Sequence, residues 1–176
     1  MAEKEMPTVD CNFVPAKAGD IIKLGPITCR VLEDGSRTVL PDNRIGVAEF
    51  TLPPRTMGPP AHWHEMHDEM FLTTKGTVRF HIPNKPDVDC ALNDFLSVPV
   101  RAPHTFSNPF DEEARFFNTY TPAFYINYFK LLGSMIEEGG QMTPERNLKA
   151  MANYATLPVP KELQPKPPAK KEDEAK

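Results

Sequence analysis

The stretch Gly58-Pro59-Pro60-Ala61-His62-Trp63-His64-Glu65-Met66-His67-Asp68-Glu69 decides how this chain is read. In a strand, residues two apart point to one face, and His62 and His64 therefore project together. Glu69, entering the next strand, can bring a carboxylate to the same point. A second stretch, Pro99-Val100-Arg101-Ala102-Pro103-His104-Thr105-Phe106-Ser107-Asn108, supplies another histidine at a strand start. Imidazoles with one carboxylate suit Fe, Mn, Ni, Cu or Zn and leave positions for substrate or dioxygen. Calcium and magnesium would want oxygen ligands. A lone strand histidine is usually an ordinary polar residue, but four of the five histidines crowd into these two segments. The clustering points to His62, His64, Glu69 and His104 as ligands of one divalent transition metal.

Outward from these segments the text is that of a mainly β domain. Short apolar runs at 21–24, 28–32, 45–52, 70–74, 77–82, 95–98, 105–108 and 114–120 read as strands. Between them, Glu33-Asp34-Gly35, Pro41-Asp42-Asn43 and Pro83-Asn84-Lys85-Pro86 carry turn chemistry. After Pro122 the period becomes helical, with Phe124, Tyr128, Leu131, Leu132 and Met135 on one face and Gly139-Gly140 as a stop. Thr143-Pro144-Glu145 then reads as the start of a second helix. The expected organisation is a flexible terminus over 1–12, a β-barrel over 13–122, packed helices over 123–157 and a disordered Pro/Lys/Glu-rich tail over 158–176.

Both histidine segments resemble the two motifs of the cupin superfamily. His62-x-His64, four residues, Glu69, six residues and Gly76 match the first motif. Pro99, His104 and Asn108 match the second, with Asn93 and Arg101 standing where that motif has glycine. Gly58 also lies nearer His62 than the pattern asks. The resemblance covers roughly residues 45 to 120 and implies a single cupin barrel, a double-stranded β-helix or jelly roll, with one or two C-terminal helices. The flanks resemble single-domain cupins related to quercetin dioxygenase, found in microbial and fungal secondary metabolism. That likeness implies one metal, with Fe2+ favoured over Mn, Ni, Cu or Zn, and a homodimer. It also implies that Glu69 serves both as ligand and as catalytic base.

Strand alternation places Phe71 and Thr73 on the face of Glu69, and Phe106 and Asn108 on the face of His104, as candidate substrate-pocket residues. His67 is expected near the ligands or at the surface, and His81 on the surface or lining the barrel. Three functions stay open. The leading one is a metal-dependent oxidoreductase or oxygenase acting on a small aromatic or polyketide-like molecule. The others are a non-redox isomerase, cyclase or decarboxylase, and a binding protein without turnover. No Rossmann or P-loop fingerprint is present, so no nucleotide or nicotinamide site is built in. A net charge of −4 offers no footprint for nucleic acid or an acidic membrane. Neither a signal-peptide pattern nor a spanning run is visible, and three scattered cysteines form no disulfide framework, so a cytoplasmic setting is expected.

Overall fold

Apolar residues at every second position build the β framework. In β3 (Gly46–Leu52) and β11 (Ala114–Thr121) buried and half-buried residues alternate along the whole strand, which is the pattern of a sheet with one face on a core. The computed structural model describes residues 6, 8, 10–36, 44–139 and 142–168. The turn expected at 41–43, much of the 1–12 terminus and residues 169–176 lie outside the described residues.

The remaining strands are β1 (Asp20–Leu24), β2 (Ile27–Glu33), β4 (Thr56–Met57), β5 (His62–His64), β6 (Asp68–Lys75), β7 (Val78–His81), β8 (Val88–Cys90), β9 (Phe95–Val98), β10 (Thr105–Asn108) and β12 (Thr156–Pro158). They form an antiparallel six-stranded sheet in the order β1-β2-β3-β11-β6-β9, a four-stranded sheet β4-β10-β7-β8, and the pair β12-β5. The two larger sheets face each other through aromatic side chains. Phe71 and Phe116 from the first meet Phe80 and Phe106 from the second, with ring centroids 5.0 Å apart for Phe71–Phe80 and 4.9 Å for Phe106–Phe116. This is a jelly-roll sandwich with one continuous core.

Two helices follow the barrel. Helix α1 (Ile126–Glu137) buries Ile126, Phe129, Leu132 and Gly133. At Gly133 the helix lies so close to β1 that a Cβ would come within 2.7 Å of Ile22 Cγ2. Lys130 Nζ, 2.6 Å from Asp34 Oδ2, ties the same helix to the end of β2. Helix α2 (Pro144–Ala152) is capped by Thr143, whose hydroxyl accepts from the Arg146 amide. Tyr128 donates to Asn147 Oδ1 at 3.0 Å and joins the helices. Among the described residues, no helix is long and apolar enough to cross a membrane.

The end of the chain departs from its polar composition. Residues 156 and 157, expected within a helical region, and Pro158, expected to open the tail, form β12 and pair with β5, opposing Thr156 to His64 and Pro158 to His62. From 158 onward a solvated tail is expected, yet Gln164 is tied down. Its Oε1 accepts from Ala61 N at 2.6 Å, and its Nε2 donates to Ala61 O and Val159 O at 3.0 and 2.9 Å. The physical reason is backbone satisfaction: β5 has an open edge whose polar groups need partners, and this segment supplies them. On the opposite border, Leu72 of β6 and Phe95 of the edge strand β9 are paired in register and exposed.

Candidate metal centre

Four side chains singled out from sequence converge inside the barrel. His62 and His64 come from β5, Glu69 from the start of β6, and His104 from the residue before β10, bridged to His62 by two backbone bonds of 3.0 and 2.8 Å. All four are at least 94% buried. The ring donor atoms of His62, His64 and His104 lie within 4.8 Å of one another. Glu69 Oε1 is 3.1 Å from His64 Nε2, and Oε2 is 3.7 Å from His104 Nε2.

The outer nitrogens of the rings are fixed. His62 Nδ1 donates to Pro60 O at 2.7 Å and His104 Nδ1 to Ala102 O at 3.0 Å. A carbonyl only accepts, so in both neutral rings the Nε2 lone pair is left facing the centre. His64 Nδ1 lies 3.0 Å from Thr156 Oγ1. His64 Nε2 is buried without a hydrogen-bond partner, its contact with Glu69 being out of line for one. Orphaned buried nitrogens are rare, and a cation between these groups satisfies them together. The residues therefore fit a divalent transition metal.

The electrostatics agree. Burial, helped by the charges of His104 and His64, pushes the His62 imidazole well below its ordinary value. Burial likewise lowers His64, although Glu69 opposes it. Neutral imidazole is the metal-binding form. For Glu69, burial acts to raise the carboxyl, but the surrounding His64, His104 and His67 rings outweigh it and hold the group well below the usual carboxylate range.

His67 joins this cluster from the turn between β5 and β6. Its ring is buried, packs against Tyr125 with centroids 4.1 Å apart and planes tilted by 34°, and places Nε2 3.1 Å from Glu69 Oε1. Ionised Glu69 can only accept, so His67 donates to it and steadies that oxygen.

A cavity of about 450 Å³ opens onto the cluster, with His62, Glu69 and His104 in its wall. Phe50, Phe106 and Phe129 with Tyr120, Tyr125 and Tyr128 supply much of the rest. The helices thus form part of the chamber, which strand alternation alone does not reveal. Tyr120 is legible only through register, since β11 sets it opposite Glu69. Burial pushes the three phenols up, with nearby Glu69 adding to it, so they stay protonated donors. Among the described lining residues there is no Lys, Arg or Asp, and Glu69 is the one carboxylate.

Of the four expected pocket residues, only Phe106 lines this cavity. Phe71 is in the core, its ring 6.0 Å from His104. Thr73 donates to Cys90 O, and Asn108 Nδ2 to Leu52 O, Pro53 O and Glu112 O. His81 bonds Asp87 and Ser107 away from the centre. Burial pushes the Cys29 thiol up to about 12, which disqualifies it as a nucleophile.

Asn93 and Arg101, the two replacements of motif glycines, both occupy the left-handed region, with φ of 71° and 69°. The Arg101 side chain is exposed, reaches toward Glu65 at 3.5 Å and does not line the cavity. Arg101→Gly relieves a left-handed strain of ~1–2 kcal/mol, offset by glycine's greater unfolded-state entropy of ~0.5–1 kcal/mol. Urea denaturation is expected to show a variant more stable by up to ~1.5 kcal/mol, with metal content unchanged.

Comparison with known proteins agrees with this geometry. Residues 48–120 match the cupin domain family. Among solved structures, KdgF from Halomonas sp. superposes with a TM-score of 0.54 at 13% identity, covering 64% of this chain and 94% of that one. An RmlC-like cupin from Shewanella frigidimarina gives 0.52 at 13% identity, covering 64% and 92%. At such identity the likeness speaks for the fold alone. No curated protein matches the chain. A jelly roll with the histidines and glutamate of both motifs gathered at its centre, and a match to the cupin domain family across residues 48–120, show a cupin domain in this chain.

Proposed function

We propose that the protein is a metal-dependent cupin oxidoreductase of the dioxygenase kind, acting on a small aromatic or polyketide-like metabolite with Fe2+ as the favoured metal. One observation carries the reading: the polar cluster of His62, Glu69 and His104 faces a largely apolar cavity of about 450 Å³, rich in aromatic rings, that has no lining cation among the described residues. A chamber of that size and character suits a planar molecule of drug-fragment dimensions with an uncharged body.

His62, His64 and His104 would hold the metal, which when bound would supply Lewis-acid and one-electron chemistry. Glu69 is the carboxylate within reach and accepts the proton of a substrate hydroxyl at its free oxygen. His67 keeps Oε1 in place during that transfer. Tyr120 presents a phenol donor to substrate oxygens, and the phenylalanine walls exclude water from the reacting group.

Oxygen uptake by the Fe2+-loaded protein tests this with naphthols and flavonols alongside the same ring systems bearing a carboxylate or phosphate. Uptake is expected with the uncharged rings, falling at least ~100-fold in Glu69→Gln, in the range of a lost general base. Conversion of substrate without oxygen uptake would move the reading to Lewis-acid isomerisation, cyclisation or decarboxylation. No conversion of any kind would contradict an enzymatic role.

A further inference from the structure

The ligand strand β5 is only three residues long and belongs to neither large sheet. On one side it bridges His104, and on the other it pairs with β12, which follows both helices. Bonds from Glu65 N to Ala155 O and from Val159 N to Ala61 O extend that pairing beyond both ends of β5. Gln164 closes it with its three bonds to Ala61 and Val159.

Within this segment Thr156 is buried and its hydroxyl meets three groups. Tyr154 O lies at 3.2 Å, Tyr125 Oη at 3.3 Å and His64 Nδ1 at 3.0 Å. A threonine hydroxyl has one proton to give, and the Tyr154 carbonyl can only accept. When the proton goes to Tyr154, the oxygen lone pairs accept from Tyr125 O–H and from His64 Nδ1–H, and every group around the hydroxyl is satisfied. The reverse assignment, with Thr156 donating to Nδ1, sets two oxygen acceptors at Thr156 and Tyr154 against each other without a proton. The network therefore favours Nδ1–H on His64 and leaves its Nε2 lone pair toward Glu69 and the other rings.

We infer that Thr156 is a positioning residue that sets the His64 tautomer, so that the segment after the barrel completes the metal centre. The inference rests on the metal reading of the cluster, but its first readout needs no metal. Long-range 15N–1H spectra of the metal-free native protein are expected to show His64 protonated at Nδ1. In Thr156→Val the same ring is expected to shift toward Nε2–H, where Glu69 is the acceptor, while Thr156→Ser keeps the wild-type tautomer. Chelator competition with zinc is expected to show a loss of ~10–100-fold for Thr156→Val, as for other outer partners of metal-bound histidines, and near-wild-type affinity for Thr156→Ser.

Wild-type His64 protonated at Nε2 would overturn the inference, whether or not the valine variant folds. A folded Thr156→Val with unchanged tautomer and unchanged zinc affinity would overturn it as well. A wild-type protein that binds no zinc but shows Nδ1–H on His64, lost in the valine variant, would uphold the role of Thr156 and remove the metal reading instead.

Discussion

Replacing His62 and His104 together with alanine is expected to strip the protein of metal, taking it from near one equivalent to background after dialysis against a mild chelator. Both rings are more than 90% buried, and both have Nδ1 committed to a backbone carbonyl. What their Nε2 atoms offer the centre is therefore the whole of their polar role. His64 and Glu69 would remain as an incomplete pair, and the loss should exceed the ~10–100-fold that outer-partner changes cost. The barrel itself should persist, because the bridge between 62 and 104 is made by backbone groups and the aromatic core lies elsewhere. Elemental analysis of the folded variant checks this, and stoichiometric retention would show that the metal sits at another place.

The largest effect on stability is expected at Phe116. The side chain is fully buried, stacks on Phe50 at 5.1 Å and meets Phe106 and Phe71 edge-on at 4.9 and 5.4 Å. Phe116→Ala removes a ring from the middle of that cluster and leaves a hole that neighbours on two sheets cannot close, at a cost of ~3–5 kcal/mol. For a chain of this length that corresponds to a melting temperature lower by about 6–20 °C. Phe50 and Phe106 also line the cavity, so the loss of their backing should loosen the chamber wall. A cost under ~1 kcal/mol, the range of a surface change, would mean that the sheets do not meet as described.

The clustering of the candidate metal side chains was legible because each depends on a local rule. A His-x-His pair in extended chain shares a face whatever the barrel around it, and His64-Glu69 and His104 carry fixed spacings to turn residues. Depth along the barrel is a different matter. Alternation placed Phe71, Thr73 and Asn108 inside, and they are buried. Each two-residue step, however, moves roughly 7 Å along the strand, which takes Thr73 and Asn108 well away from the centre. Inside and near are separate questions, and a period of two answers only the first.

Other parts of the site depend on long-range register. Tyr120 faces Glu69 because β11 is inserted between β3 and β6, and nothing local in the sequence fixes that pairing. His67 falls in a turn, where polar residues ordinarily meet water; Tyr125 from the barrel exit covers it instead. The polar composition after 158 concealed Gln164, whose amide matches one N–H and two carbonyls that β5 and its surroundings leave open.

Anomalous diffraction from crystals grown with Fe2+, recorded on both sides of the iron absorption edge, tests the central claim most directly. One strong peak is expected, bonded to Nε2 of His62, His64 and His104 and to the Glu69 carboxylate, at the inner end of the aromatic cavity. A well-ordered iron bound elsewhere, or an empty cluster in crystals soaked with excess metal, would contradict it.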